Sequence, residues 1–226
     1  MPAAEVVAGG GEAQCADAFL RLGAALAATG LAMRDVVNIH VTLADIRDLA
    51  VFEKSYRATF SAPHPSGTIV VAPLAHAQAC IHIEAVSCKG GGKPVAGGAA
   101  FAPDALFSPG TLLDGELFLS GQSGVGSGSA PNGVEAQTRS AWTKLGAVLA
   151  NCGMNAAHIL RTNNVLTDWR DYAEFNAGYG ANVALPYPPR ATVLGTLAMP
   201  GARVQIEGSA HREGDQAVVL TVPGMS

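Results

Sequence analysis

Apolar residues along this chain recur first with a helical period and then with a strand period, and they do so twice in the same order. Cys15, Phe19, Leu22 and Leu26 return at steps of four and three, the apolar stripe of one α-helix. Thr138, Trp142, Leu145 and Leu149 make a second such stripe. Gly30 and Gly153 stand where a left-handed residue would stop each helix. In VVNIHVTL (36–43), Val37, Ile39, Val41 and Leu43 alternate with polar residues, which predicts a half-buried strand. Asp45 and Asp168 are expected to cap the next helices, with acidic Asp48 and Asp171 near the positive helix end. Those helices run through Phe52 and Tyr56, and through Tyr172, Phe175 and Tyr179, and each ends in a proline loop, HPSG or PYPPR. Further strands are expected at 67–72 and 79–88, and at 190–197 and 203–211. Residues 105–113 and 116–122 predict a hairpin turning at Asp114-Gly115. The tail AVVLTV (217–222) is a short strand candidate for an open sheet edge.

The double order is a true repeat. An offset of 123 positions lays Ala13-Gln14 on Ala136-Gln137, Asp45-x-Arg47-Asp48 on Asp168-x-Arg170-Asp171, Tyr56 on Tyr179, and Ile83-Glu84 on Ile206-Glu207. No gap is needed over that span, so the chain holds two copies of one fold unit. The copies differ at Gly67 against Arg190 and at His82 against Gln205, a pattern of one working and one degenerate copy. The hairpin has no counterpart in the first copy. The expected organisation is a truncated unit over 1–90, a Gly-rich linker over 91–100 and a complete unit over 101–226. Strands outnumber helices and are mostly sequential, so the class is α+β, a mixed sheet with two helices on one face in each unit.

Composition narrows the function. Apolar residues make up 49% of the chain and charged ones 14%, which gives ample core and leaves surface suited to burial in an oligomer. A net charge of −4 with no Lys/Arg cluster argues against nucleic-acid binding. No apolar run approaches the length of a membrane span, and the first residues lack a signal-peptide pattern. Cys15, Cys80, Cys88 and Cys152 have no C-x-x-C spacing, so reduced thiols in the cytoplasm are expected.

Four patterns bear on chemistry. Arg190 follows Pro188-Pro189, whose fixed φ angles deliver one guanidinium to the start of a strand. A guanidinium so held suits a carboxylate, and equally a surface salt bridge. Cys80, His82 and Glu84 share one strand face, a spacing open to metal ligation and to a polar subunit contact. A zinc site needs three or four protein ligands and no further His or Cys is placed nearby, so no metal is expected. The stretch SGQSGVGSGSAPNG (120–133) is Gly-rich between strand and helix, yet lacks the Lys-Ser/Thr of a phosphate loop and any acid at dinucleotide spacing. No Ser-His-Asp order or nucleophilic cysteine context is present, and no cofactor is expected.

Taken together, LFLSGQ (117–122), LANCGM (149–154), NNVLTDWRDYAEFNAGY (163–179), PPRATV (188–193) and RVQIEG (203–208) resemble the Rid family, the YjgF-like reactive-intermediate deaminases. The full pattern covers roughly 103–212 and a shortened copy roughly 12–88. The resemblance implies a sheet with two helices on one face, trimers whose sheets form a central barrel, and clefts between subunits that bind small carboxylates. It places the carboxylate-gripping arginine at Arg190, a cleft-lining serine and glycine at Ser120 and Gly121, a helix asparagine at Asn176, and an aromatic residue at Phe107, which has no hydroxyl. Backbone groups near Gly121 and Thr192 would orient the substrate.

Hydrolytic members carry a glutamate on the last strand, and that place is Gln205 here, while Glu207 matches a different family glutamate. A glutamine orients water but takes no proton from it, and general-base help is worth about 10²–10⁴-fold. The resemblance thus implies hydrolytic deamination of a small imine or enamine acid with release of ammonia. Two alternatives stay open: a non-hydrolytic tautomerisation, cyclisation or condensation in the same carboxylate cleft, and a non-catalytic ligand-binding or interaction protein. With Gly67 and His82 at the two positions, the first copy lacks the family's means of holding a carboxylate. Two units per chain do not close a threefold barrel, so a trimer of chains with six units is the simplest closed homo-oligomer.

Overall fold

A computed structural model describes residues 6–98, 101, 105–126 and 131–216; the strand candidate at 217–222 and residues 127–130 of the glycine-rich stretch lie outside them. The first unit opens with α1 (Gly10–Ala28). Leu31 N–H donates to Leu26 O at 2.9 Å and Gly30 N–H to Ala27 O at 3.0 Å, with Gly30 at φ 76°. This left-handed cap needs a residue without a Cβ. Gly153 ends α3 (Val134–Ala150) the same way, with Met154 bonded to Leu149.

Strand β1 (Val36–Leu43) lies between β2 (Ser66–Val71), parallel to it, and β3 (Ile81–Ser87), antiparallel. The second unit repeats this with β7 (Ile159–Leu166) between β8 (Arg190–Leu194), parallel, and β9 (Val204–His211), antiparallel. It adds β5 (Gly110–Leu113) and β6 (Glu116–Ser123), joined by a turn with Asp114 at φ 48° and Gly115 at φ 92°. Positive φ at both central residues makes the type I′ turn that Asp-Gly favours. The hairpin is shorter than the sequence predicts, because residues 105–109 leave the ladder and run to the first unit, where Ser108 N–H bonds Pro65 O at 3.1 Å. The segment expected as a flexible linker likewise forms a strand, β4 (Lys93–Val95), pairing with β5 and extending the sheet to β4-β5-β6-β9-β7-β8. Pro94 is tolerated there because β4 is an edge.

Two helices cover one face of each sheet, α1 and α2 (Leu49–Thr59) in the first unit, α3 and α4 (Tyr172–Gly180) in the second. Phe19, Phe52, Tyr56, Ile39 and Val41 fill one core; Trp142, Leu145, Leu149, Phe175, Leu117 and Ile206 fill the other. Asp45 and Asp168 cap the short turns before α2 and α4 through their side chains, at 2.8 and 2.9 Å to the backbone N–H of Arg47 and Arg170. A repeated amide clamp ties each first helix to its last strand: Gln14 bonds Gln78 O and Cys80 N, and Gln137 bonds Gly201 O and Arg203 N. Among the described residues no helix is long and apolar enough to cross a membrane.

The units join side by side. Val71 and Thr196 exchange two backbone bonds at 3.0 and 2.8 Å, and Val70 packs with Val125, Val165, Leu197 and Ala202.

Candidate functional site

Arg190 is the first residue of β8, opposite Thr162 in the parallel ladder, and Pro189 O accepts from Thr162 N–H at 3.1 Å. The diproline arm therefore feeds directly into the sheet. The guanidinium carbon lies 4.7 Å from the Tyr179 ring centroid and 4.9 Å from that of Tyr187, and the two rings stand at 80° to each other. Tyr179 is fully buried and its hydroxyl meets Thr162 Oγ1 at 3.0 Å. Burial pushes the Tyr179 phenol up, while the Thr162 contact and the Arg190 charge oppose that rise. Among the described residues no carboxylate lies within ion-pair distance of Arg190, and its buried Nη1 has no hydrogen-bond partner. Asn176, one turn before Tyr179 on α4, also holds a buried and unpartnered Oδ1. Thr192 Oγ1 accepts from Asn164 Nδ2 at 3.3 Å.

The other four expected site residues gather elsewhere, at the boundary between the units. Ser120 Oγ accepts from Gly67 N–H at 2.8 Å and donates to Ser108 O at 2.5 Å. Gly121 N–H donates to Thr68 Oγ1 at 2.9 Å. Gln205 Nε2 donates to Ile69 O at 3.2 Å, and a Cβ on Gly121 would stand 2.9 Å from Thr68 Cγ2 and 3.0 Å from Gln205 Cδ, so a larger residue there would push these side chains aside. Phe107 packs edge-on against Tyr56 with centroids 5.2 Å apart. A Cβ on Gly67 would stand 2.7 Å from Phe107 Cδ1. The aromatic ring thus fills the space where the second unit carries its arginine.

Within one chain the seven expected site residues thus fall on two surfaces, Arg190, Asn176 and Thr192 on one and Ser120, Gly121, Gln205 and Phe107 on the other. Arg190 is in register with Thr162, whereas Gln205 and Val193 are both in register with Val165, three residues on. Cross-strand partners share a face and an odd step along a strand changes it, so Arg190 and Gln205 point to opposite faces of the sheet. Gln205 lines a groove of about 630 Å³ between the inner sheet faces, with His40, Thr68, Glu84, Asn163 and Glu207. Within it Glu207 accepts from Asn163 Nδ2 at 3.0 Å and lies 3.7 Å from His40 Nε2. His82 and Glu84 stand exposed on β3, and no three His, Cys, Asp or Glu side chains among the described residues are grouped to hold a metal.

Three contributors escape a reading of the sequence. Tyr187 and Thr162 act on Arg190 only through the fold, although Tyr187 sits in the same PYPPR run. Lys144 on α3 donates to the carbonyls of Ser123 and Val125 at 2.9 and 2.6 Å, tying down the start of the glycine-rich stretch, and burial lowers its ammonium below the usual lysine range.

Comparison with known proteins follows these halves. The endoribonuclease L-PSP family pattern matches twice, over residues 2–89 and 97–212. The bovine 2-iminobutanoate/2-iminopropanoate deaminase is 29% identical over 101 residues, covering 43% of this chain and 74% of the relative. Protein mmf2, mitochondrial, of Schizosaccharomyces pombe is 33% identical over 97 residues, covering 41% of this chain and 77% of the relative. A solved chorismatase shares the fold at a TM-score of 0.68 and 16% identity, over 87% of this chain and 69% of that one. The chain belongs to the endoribonuclease L-PSP family, the YjgF-like or Rid family, and the family pattern is matched once by each of its two units.

Proposed function

We propose that this chain is a Rid-type enzyme acting on a small imine or enamine acid, with Arg190 as its carboxylate anchor. One observation carries the reading: a guanidinium stacked on Tyr179 and Tyr187, with no acid beside it among the described residues and a buried Nη1 that lacks a partner. A buried N–H donor left unpaired costs free energy, and a carboxylate oxygen removes that cost while gaining a charge-assisted bond. The tyrosine rings hold the fork flat, so little side-chain freedom is lost on binding. Relatives named for 2-iminobutanoate and 2-iminopropanoate support the substrate class. In the hydrolytic form of the reaction, water adds to the C=N carbon and the carbon–nitrogen bond then breaks, yielding an oxo acid and ammonia.

A second reading, non-hydrolytic conversion at the same anchor, is favoured by Gln205. Its amide is engaged with Ile69 O, faces away from Arg190 and has no basic atom. The two readings separate in one experiment. An amino-acid oxidase generates 2-iminopropanoate in situ, and its decay is followed with wild type, Arg190→Ala and Gln205→Glu. Hydrolysis predicts faster decay with wild type and at least a tenfold loss in Arg190→Ala, the scale of a lost charge-assisted pair. Decay at the uncatalysed rate with wild type, alongside saturable carboxylate binding, supports the non-hydrolytic reading.

A further inference from the structure

On the helix-covered side of β7 and β8, polar side chains stand where the other unit carries core. Thr162, Asn164 and Thr192 occupy the places of Ile39, Val41 and Ile69 in the first unit. Asn164 is fully buried. Its Nδ2 donates to Ala191 O at 2.9 Å and to Thr192 Oγ1 at 3.3 Å, and stands 3.5 Å from Thr162 Oγ1. The side chain therefore lies on the same side of β7 as Thr162 and the Tyr179 hydroxyl that Thr162 meets. Its Oδ1 is buried and has no partner. Turning the amide over would set its oxygen against the Ala191 carbonyl at 2.9 Å, so the oxygen is the free end.

A buried acceptor without a donor costs free energy, and Val41 in the equivalent place shows that the fold itself needs no amide there. Arg190 Nη1 is the complementary case, a buried donor without an acceptor. Thr192, which Asn164 contacts, stands two residues beyond Arg190, about 6.6 Å along the strand. A carboxylate and a nitrogen on adjacent carbons, with a hydrogen bond of about 2.9 Å at each end, span that distance. Asn176 also holds an unpartnered Oδ1, but it is half-buried and its counterpart, Glu53, is polar too. A polar side chain is thus ordinary at that place and exceptional at 164.

We infer that Asn164 is the specificity residue of the Arg190 site, its Oδ1 accepting from an N–H on the carbon next to the ligand's carboxylate. The inference rests on Arg190 being the carboxylate anchor. Such a site prefers acids with that N–H over acids of the same shape that lack it, because the latter leave the amide oxygen unpaired. An oxo acid goes further and sets its own oxygen against Oδ1 with no proton between them. Replacing the nitrogen of an imine acid by oxygen therefore turns a favoured ligand into a disfavoured one, and the product leaves more readily than the substrate.

Oxamate and pyruvate test this directly. Both are stable planar acids of nearly equal size, one with NH2 where the other has CH3. Titration calorimetry on wild type should find oxamate at least about tenfold tighter, the scale of a buried polar group regaining its partner. Asn164→Val should bring that ratio to about one while pyruvate binding changes less than about threefold; Asn164→Leu, closer in shape, serves if the valine variant unfolds. A merely structural role for Asn164 would move both affinities together and leave the ratio unchanged. A wild-type ratio near one overturns the inference without any variant. A ratio that survives the loss of Asn164, or that vanishes in Asn176→Ala instead, overturns the assignment. If neither acid binds wild type, the Arg190 reading falls and this inference with it. If Arg190→Ala weakens both acids while wild type binds them alike, the anchor stands and only the role of Asn164 falls.

Discussion

At the scale of single residues, the two copies of the repeat act as their own control. Tyr179 and Tyr56 occupy equivalent places, yet only Tyr179 has a hydroxyl partner, because Thr162 is replaced by Ile39 in the first unit. Tyr187 likewise becomes His64, and Arg190 becomes Gly67. Thr162, Tyr187 and the arginine are lost together, which marks them as one device for fixing a guanidinium. Thr162→Val and Tyr187→Leu should each weaken carboxylate binding about three- to tenfold, the scale of a cation–π contact, with kcat unchanged. Titration calorimetry and steady-state kinetics check that split. Phe107→Ala should cost about 3 kcal/mol of stability in urea unfolding, because the ring fills the space beside Gly67 and Tyr56. Arg190 was legible in the sequence because a diproline arm is a local signal. The place of Phe107 was not, since its partners come from the other unit and distant contacts leave no local pattern.

At the scale of elements, periodicity and glycines carried most of the reading. The stripe Thr138, Trp142, Leu145 and Leu149 is buried as its spacing implies, and Asp114-Gly115 forms the turn its type demands. The linker misled because composition reports a segment's own preference and not the open edge of β5 that recruits Lys93–Val95. The paired caps give a pH prediction. Bonds from the Arg47 and Arg170 side chains, helped by their backbone N–H groups, hold the carboxyls of Asp45 and Asp168 down to about 2. Their contribution to stability is complete above the unfolded carboxylate range and is lost as pH falls from about 4 towards 2. The thermal midpoint should drop over that interval, and Asp45→Asn/Asp168→Asn should flatten the drop while lowering the midpoint at pH 7.

At the scale of the whole molecule, the two units build two equivalent positions differently. Where the second unit has Arg190, the inner boundary has Gly67 with the Phe107 ring packed against it. The second unit carries Arg190 at the start of its edge strand β8. The repeat itself was legible from an ungapped offset, and so was the difference between its copies. Which surface each expected site residue takes was not, because strand register and sheet face are set by pairings between distant segments. The most direct test of Arg190 as a carboxylate anchor is a calorimetric titration of wild type and Arg190→Ala with 2-oxobutanoate, a stable stand-in for the imine acid. Saturable binding by wild type that weakens at least about tenfold in the variant is the predicted result. Equal binding by both, or none by wild type, would contradict it.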